Sequence, residues 1–326
     1  MSTILKIENL TKSYSSFGLT ALLPASKKSD KALQPQTERR IRALSGVNMT
    51  VRKGDIYGLI GSNGAGKTTL MKMIAGIGYP DSGKIELFGQ GDLNQQRRRI
   101  SVLLDNMEPF PNMTVRENLT ILQKSLGIPE PDTVEKLIIQ FGFREQAKQK
   151  VAHLSRGRRK KLSIAMALMG SPDFLILDEP MNGLDPQGMV EMRELFLRLK
   201  EDYHMTILLS SHILGELYKM ATRYGIMKEG KLLEEITAGN LEERCRQYLE
   251  IGVIQINQAV SFLEGQGFIS QYEVLPEHRV RIYDTECDPA VLNRMLNNQG
   301  MDVFHLEVQG QELEQYFIER LGENYD

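Results

Sequence analysis

Gly61-Ser62-Asn63-Gly64-Ala65-Gly66-Lys67-Thr68-Thr69 fits the pattern G-x-x-x-x-G-K-[ST], and its flanks limit what this chain can fold into more than any other stretch. Upstream, Asp55-Ile56-Tyr57-Gly58-Leu59-Ile60 reads as a mostly apolar, buried strand. Downstream, Leu70-Met71-Lys72-Met73-Ile74-Ala75 reads as a helix that Gly76 can end. Strand, glycine loop and helix in that order open an α/β sheet with a phosphate-binding loop. Gly61, Gly64 and Gly66 allow backbone conformations closed to other residues, so successive N–H groups can point at a polyphosphate. Lys67 then supplies a point charge for the β- and γ-phosphates, and the Thr68 hydroxyl is placed to ligate Mg²⁺. A plain glycine-rich turn with a solvated lysine would require neither flank.

Two further apolar runs end in chemistry. Phe174-Leu175-Ile176-Leu177 suits a strand buried on both faces of a parallel sheet, and it delivers Asp178-Glu179 to the C-terminal edge where such sheets bind ligands. Asp178 can there share a Mg²⁺ with Thr68. Glu179, facing the γ-phosphate, can orient and polarise an attacking water. Met205-Thr206-Ile207-Leu208-Leu209 ends in Ser210-Ser211-His212. Of the five histidines only His212 closes a predicted core strand, where a neutral imidazole can hydrogen-bond the γ-phosphate or the water.

Composition excludes some function classes. With 326 residues, 41% of them hydrophobic, the chain can bury one large core and a smaller one. A formal net charge of −2 provides no overall basic field, so nucleic acid is not an expected partner. No apolar run approaches the roughly 18 residues that cross a bilayer, and the amino-terminal segment lacks a signal-peptide pattern. Cys245 and Cys287 are too far apart in sequence for a zinc spacing or a disulfide framework.

Two more segments in register carry a family resemblance. Leu154-Ser155-Arg156-Gly157-Arg158 resembles the L-S-G-G-Q signature of ATP-binding cassette (ABC) ATPases, and Asn182-Gly183-Leu184-Asp185-Pro186 matches their D-loop. The resemblance covers residues 4 to about 235. It implies that two copies dimerise head to tail, with each ATP between one copy's P-loop and the other's Ser155 and Gly157, and with Asp185 at the same interface. Ser155 also suits the cap of a following helix whose positive end faces an anion. Arg156 and Arg158 depart from the signature and begin a basic run through Lys161. Such a run is usually a solvated helix face, and within the signature it reads as extra positive charge near a shared phosphate. Tyr14 matches the aromatic that stacks on adenine in the family.

Asp105 stands where the family's Q-loop usually has glutamine, anchored by the match of Asn112-Met113-Thr114-Val115-Arg116-Glu117-Asn118-Leu119 downstream. An aspartate there can approach Mg²⁺ or the water, with one methylene fewer and a full charge. An acidic residue at this place resembles the bacterial branch that serves bacitracin-type and lantibiotic-type peptide exporters. In that branch a separate transmembrane permease docks beside the Q-loop. Met107, Pro109, Phe110 and Pro111 are the candidates for that contact, ordinary packing being the alternative.

The resemblance therefore implies an α/β fold: a P-loop cassette over residues 1–237 with a RecA-like core, an antiparallel β subdomain and a helical subdomain over about 108–165. Residues 17–40 form a surface insertion within it. Residues 238–326 form a small α+β domain. Their predicted strand–helix–strand–strand–helix–strand order, from Tyr248 to Val308, suggests a split βαβ sheet with a last helix over Leu313 to Leu321. The implied function is an ATP-binding and ATP-hydrolysing export subunit, cytoplasmic and peripheral to the inner face of the membrane, using ATP and Mg²⁺. A soluble ABC ATPase working on ribosomes or nucleic acid, and a low-turnover regulatory subunit, are the alternatives.

Overall fold

The computed structural model describes residues 2–16, 39–90, 92–105, 107–283, 288–310 and 313–322. They form two compact units, one up to Thr237 and one from Ala238 onward. The first contains β1 (Thr3–Ser16), β2 (Arg39–Arg52), β3 (Ile56–Ile60), α1 (Lys67–Ala75), β4 (Ser82–Leu87), the short α2 (Leu93–Gln96), β5 (Ile100–Leu103), α3 (Val115–Ser125), α4 (Thr133–Gln140) and α5 (Arg156–Ala167). It continues through β6 (Phe174–Leu177), α6 (Pro186–Tyr203), β7 (Thr206–Ser211), α7 (Leu214–Tyr218), β8 (Arg223–Lys228) and β9 (Lys231–Thr237).

A six-stranded sheet in the order β5-β6-β7-β3-β8-β9 is parallel except for β9. Every residue of β3, β6 and β7 is buried, which is why these strands read as unbroken apolar runs rather than alternating ones. Their register sets Ile60 beside Ser211, and Leu177 beside Leu209. The loop after β3, the acids after β6 and the hydroxyls and histidine after β7 therefore emerge side by side.

A second sheet, β2-β1-β4, is antiparallel. One apolar cluster joins the two sheets: Leu5, Ile7 and Val47 meet Leu70, Met71 and Ile74 of α1, together with Leu59, Ile176 and Leu208. Full burial of each such side chain contributes about 1.5–3 kcal/mol, and the cluster fixes α1 behind the glycine loop. β1 continues past the alternating Ile4–Leu10 segment to Ser16, because Ser15 and Ser16 pair with Arg40 and Arg39 of β2. Arg39 and Arg40 thus belong to a strand and not to the 17–40 insertion. Residues 17–38, including Leu19, Leu22, Pro24 and Pro35, lie outside the described residues.

Helix α3 opens with a reciprocal capping box. Thr114 Oγ1 accepts from Glu117 N at 3.2 Å, and Glu117 Oε2 accepts from Thr114 N at 2.7 Å. The same backbone hydrogen bond holds the Glu117 carboxyl below its ordinary pKa.

The second unit comprises α8 (Ala238–Arg244), β10 (Tyr248–Val253), α9 (Ile256–Gly265), β11 (Tyr272–Leu275), β12 (Arg279–Ile282), α10 (Pro289–Asn298), β13 (Val303–Gln309) and α11 (Leu313–Leu321). Its sheet runs β11-β12-β10-β13 with every neighbouring pair antiparallel, the arrangement of a split βαβ. Leu249, Ile251, Val280 and Ile282 pack against Ala259, Leu263, Leu292 and Leu296 of α9 and α10. Glu250, Arg279 and Arg281 alternate onto the opposite face.

Candidate nucleotide-hydrolysis site

The glycine loop wraps the start of α1. Gly66 adopts φ 106°, and a Cβ there would lie 2.6 Å from the Ala43 carbonyl. At Gly61 a Cβ would lie 2.3 Å from the Met227 carbonyl. Both positions exclude side chains, so the backbone N–H groups of α1's first turn stay open to a ligand. Lys67 is buried, its ammonium donating to the carbonyls of Gly61 (2.5 Å) and Ser62 (3.3 Å).

The acids after β6 are held from both sides. Thr68 Oγ1 donates to Asp178 Oδ2 at 2.7 Å, and Ser210 Oγ donates to Asp178 Oδ1 at 2.7 Å. Ser210 Oγ in turn accepts from Glu179 N at 2.9 Å. Glu179 sits in the left-handed region at φ 48°. Its Oε2 meets His212 Nδ1 at 2.8 Å, while its Oε1 lies 3.3 Å from Lys67 Nζ without a hydrogen bond of its own. A buried carboxylate oxygen with no donor, in a polar cleft, is what a group handling a water requires.

Asp178, Glu179 and His212 line one open cleft of about 540 Å³ with Ser62 to Thr69, Asp105 and Asn182, and Ser210 supports Asp178 through its hydrogen bond. Glycine cradle, buried lysine and open amides fit a polyphosphate. The oxygen pair of Thr68 and Asp178 fits a hard cation. Among the described residues no three His, Cys, Asp or Glu side chains form a metal cage. Mg²⁺ takes one or two carboxylates and completes its shell with phosphates and waters.

Four sequence-predicted residues are not brought to this cleft. Tyr14 is 44% exposed on β1, opposite Ile41, which does line the cleft; Lys12 Nζ stands 5.5 Å from its ring centre. Ser155 caps α5 by accepting from Arg158 N at 3.3 Å, with Gly157 in the first turn of that helix. Asp185 caps α6 by accepting from Gly188 N at 3.1 Å.

Part of the basic run is engaged within the chain. Arg158 donates to the Gly142 carbonyl, Lys160 pairs with Asp105 at 3.0 Å, and Lys161 lies 3.7 Å from Glu191. Lys160 and Lys161 are thus ion-paired within the chain, while Arg159 Nε is buried without a hydrogen-bond partner. Ser210, Asn182 and Arg42 also belong to the site and escaped the list of candidates. Ser210 had a signal, a small hydroxyl at the end of the strand next to Asp178. Arg42 had none, because it reaches the cleft from a different sheet.

Known proteins share this arrangement. Residues 44–182 match the ABC transporter family. The bacitracin transport ATP-binding protein of Bacillus licheniformis is 37% identical over 99% of this chain and 98% of its own length. The lantibiotic transport ATP-binding protein of Streptococcus pyogenes is 36% identical over 74% and 95% respectively. Among solved structures, a nucleotide-free cassette of an ABC transporter, 26% identical, superposes at a TM-score of 0.58 over 72% of this chain and 91% of its own. A dimeric cassette bound to ADP and Pi, 22% identical, shares the fold at a TM-score of 0.59, covering 72% of this chain and 99% of its own. A glycine-cradled lysine, an acid pair at a strand end and near full-length likeness to transport ATP-binding proteins agree: the chain belongs to the ATP-binding subunits of ABC transporters and is an ATPase.

Proposed function

We propose that this protein hydrolyses ATP to drive export of an antimicrobial peptide of the bacitracin or lantibiotic kind through a separate membrane-spanning partner. The observation that carries the chemistry is the buried Oε1 of Glu179, ion-paired with Lys67 at 3.3 Å yet accepting no hydrogen bond. Glu179 serves as the general base toward water. His212, in contact with its other oxygen, orients the carboxylate and contacts the γ-phosphate. Lys67 leaves its carbonyl partners for the β- and γ-phosphates, which offer it a stronger, charge-assisted bond. Thr68 and Asp178 would hold Mg²⁺, with Asp105 on the wall of the same cleft a further candidate through water; the ion would supply charge neutralisation on the phosphates. Tyr14 stacks on the adenine.

Ser155 and Gly157 complete the site of a second copy, with Asp185 at the same interface. This accounts for their absence from the chain's own cleft. The two copies act on the inner face of the membrane, held by the permease, since no described helix is long and apolar enough to cross one. Residues 1–237 act as the nucleotide-binding domain, and 238–326 as an accessory domain. Support for the cargo comes from the bacitracin and lantibiotic relatives.

Production of this protein with its membrane partner in a sensitive bacterium is expected to raise tolerance to bacitracin or a lantibiotic, and Glu179→Gln to remove that gain. Unchanged tolerance to both peptide classes would refute the cargo assignment. Equal protection by Glu179→Gln would refute the role of hydrolysis.

A further inference from the structure

The basic run at the start of α5 contributes nothing to the cleft by direct contact, yet its side chains reach the cleft's walls. The Arg156 guanidinium lies so close to Gly183 that a Cβ there would collide with it. Lys160 goes further. Its ammonium is 3.0 Å from Asp105 Oδ1 and 3.5 Å from the main-chain carbonyl of Glu179, and its side chain is only 15% exposed.

Asp105 follows β5 and Glu179 follows β6, so Lys160 spans two neighbouring strand ends from a helix that belongs to neither. We infer that Lys160 is a positioning residue of the hydrolytic centre, tying the helix capped by Ser155 to Asp105 and to the backbone of Glu179. This rests on the catalytic assignment proposed above.

The physical case has three parts. Glu179 holds a left-handed φ, a conformation that persists only when its surroundings restrain it. Ser210 accepts from its N–H, while its carbonyl accepts from Asn182 N at 3.2 Å and from Lys160 at 3.5 Å, so the peptide units on both sides of Glu179 are held. A single ammonium shared by a carboxylate and a carbonyl is also sensitive to where α5 lies. A shift of the helix moves the charge, and with it the peptide that aims the Glu179 carboxylate. Ser155, five residues earlier on the same rigid element, is the position proposed to sense a second copy's nucleotide. Lys160 thereby couples that contact to the base. Neutral side chains at 105 and 160 would lack the charge attraction that maintains this link.

The test is steady-state hydrolysis by the full-length protein carrying Lys160→Met, Lys160→Gln, Lys160→Arg, Asp105→Asn, or Lys160→Met with Asp105→Asn. Binding of a fluorescent ATP analogue and the melting temperature report whether each variant is folded. Lys160→Met and Lys160→Gln are expected to lower kcat about tenfold, with KM for ATP within about twofold of the starting protein. Lys160→Arg should stay within about threefold. Removing Lys160 should cost several-fold less when Asp105 is already Asn, the mark of a shared interaction. Wild-type kcat in both neutral variants, or a double variant whose loss is the product of the single losses, would overturn the inference. So would a rise in KM with kcat unchanged. Glu179→Gln in the same assay separates the claims: if it retained turnover, the base assignment underneath would fall.

Discussion

The two units bury charge in opposite ways. At the nucleotide cleft, Lys67, Asp178, Glu179 and Ser210 are brought together at the ends of three parallel strands, and the set is left incomplete, with one Glu179 oxygen lacking a donor. In the second unit Glu250, the one buried acid among the described residues, is met by Arg279 at 2.8 Å and Arg281 at 3.2 Å, both on the adjacent strand β12. The first arrangement leaves an acid oxygen without a hydrogen bond; the second satisfies both oxygens of its acid, although Arg279 Nε and His305 Nε2 beside it lack hydrogen-bond partners. A buried acid is thus evidence of function when its partners come from afar and one of its own oxygens lacks a hydrogen bond, and evidence of sheet stability when a neighbouring strand satisfies both oxygens.

That contrast can be broken by substitution. Glu179→Gln is expected to lower kcat by about 10²–10⁴-fold while ATP binding and melting temperature hold, measured by phosphate release and calorimetry. A large drop in melting temperature would make Glu179 a structural residue like Glu250. Ser210→Ala should weaken hydrolysis by an amount worth about 1–3 kcal/mol, because Asp178 loses a donor and the buried Glu179 N–H loses its acceptor.

Glu250→Ala is expected to do the reverse. It should destabilise the second unit by about 1–2 kcal/mol, since its half-exposed arginines can recover water, and leave hydrolysis unchanged. Lost hydrolysis in that variant would mean the second unit takes part in turnover. The smallest effect is on pH dependence. The hydrogen bond from Arg279 holds the Glu250 carboxyl below its ordinary value, against burial, which raises it. A folded-state pKa below the unfolded one gives stability that is full above the unfolded value near 4.5 and is lost as pH falls toward the folded one. Melting of the second unit should therefore fall more steeply below pH 4.5 in the natural protein than in Glu250→Gln.

Local pattern carried much of the fold. The strand–loop–helix around Lys67, the apolar strands ending at Asp178 and His212, and the strand and helix order from Tyr248 to Leu321 were legible because period and punctuation are written within a few residues of one another. Helix α8 was not, since Ala238–Arg244 is short and only Leu241 in it is buried. The extension of β1 to Ser16 was hidden because its pairing residues on β2 stand more than twenty positions away. In the site, single residues with a motif could be read. The pairing of Thr68 with Asp178 could be read only through the ion they would share; the pairs Ser210 with Asp178 and Lys160 with Asp105 could not, as each joins positions at least 32 apart. A basic run read as one electrostatic object resolves in three dimensions into separate partnerships, because helix geometry sends neighbouring side chains in different directions.

The left-handed backbone at Glu179 has a consequence for how heat-resistant this protein can be. Glutamate rarely adopts φ 48°, and here it does so immediately before Pro180, which further narrows its choices. Such a conformation costs about 1–3 kcal/mol, and glycine or asparagine would adopt it with less strain. A Glu179→Asn protein is thus expected to melt at a higher temperature than the natural one, and to be inert. The residue proposed as the base of this ATPase would then keep the fold from being as durable as its architecture would allow.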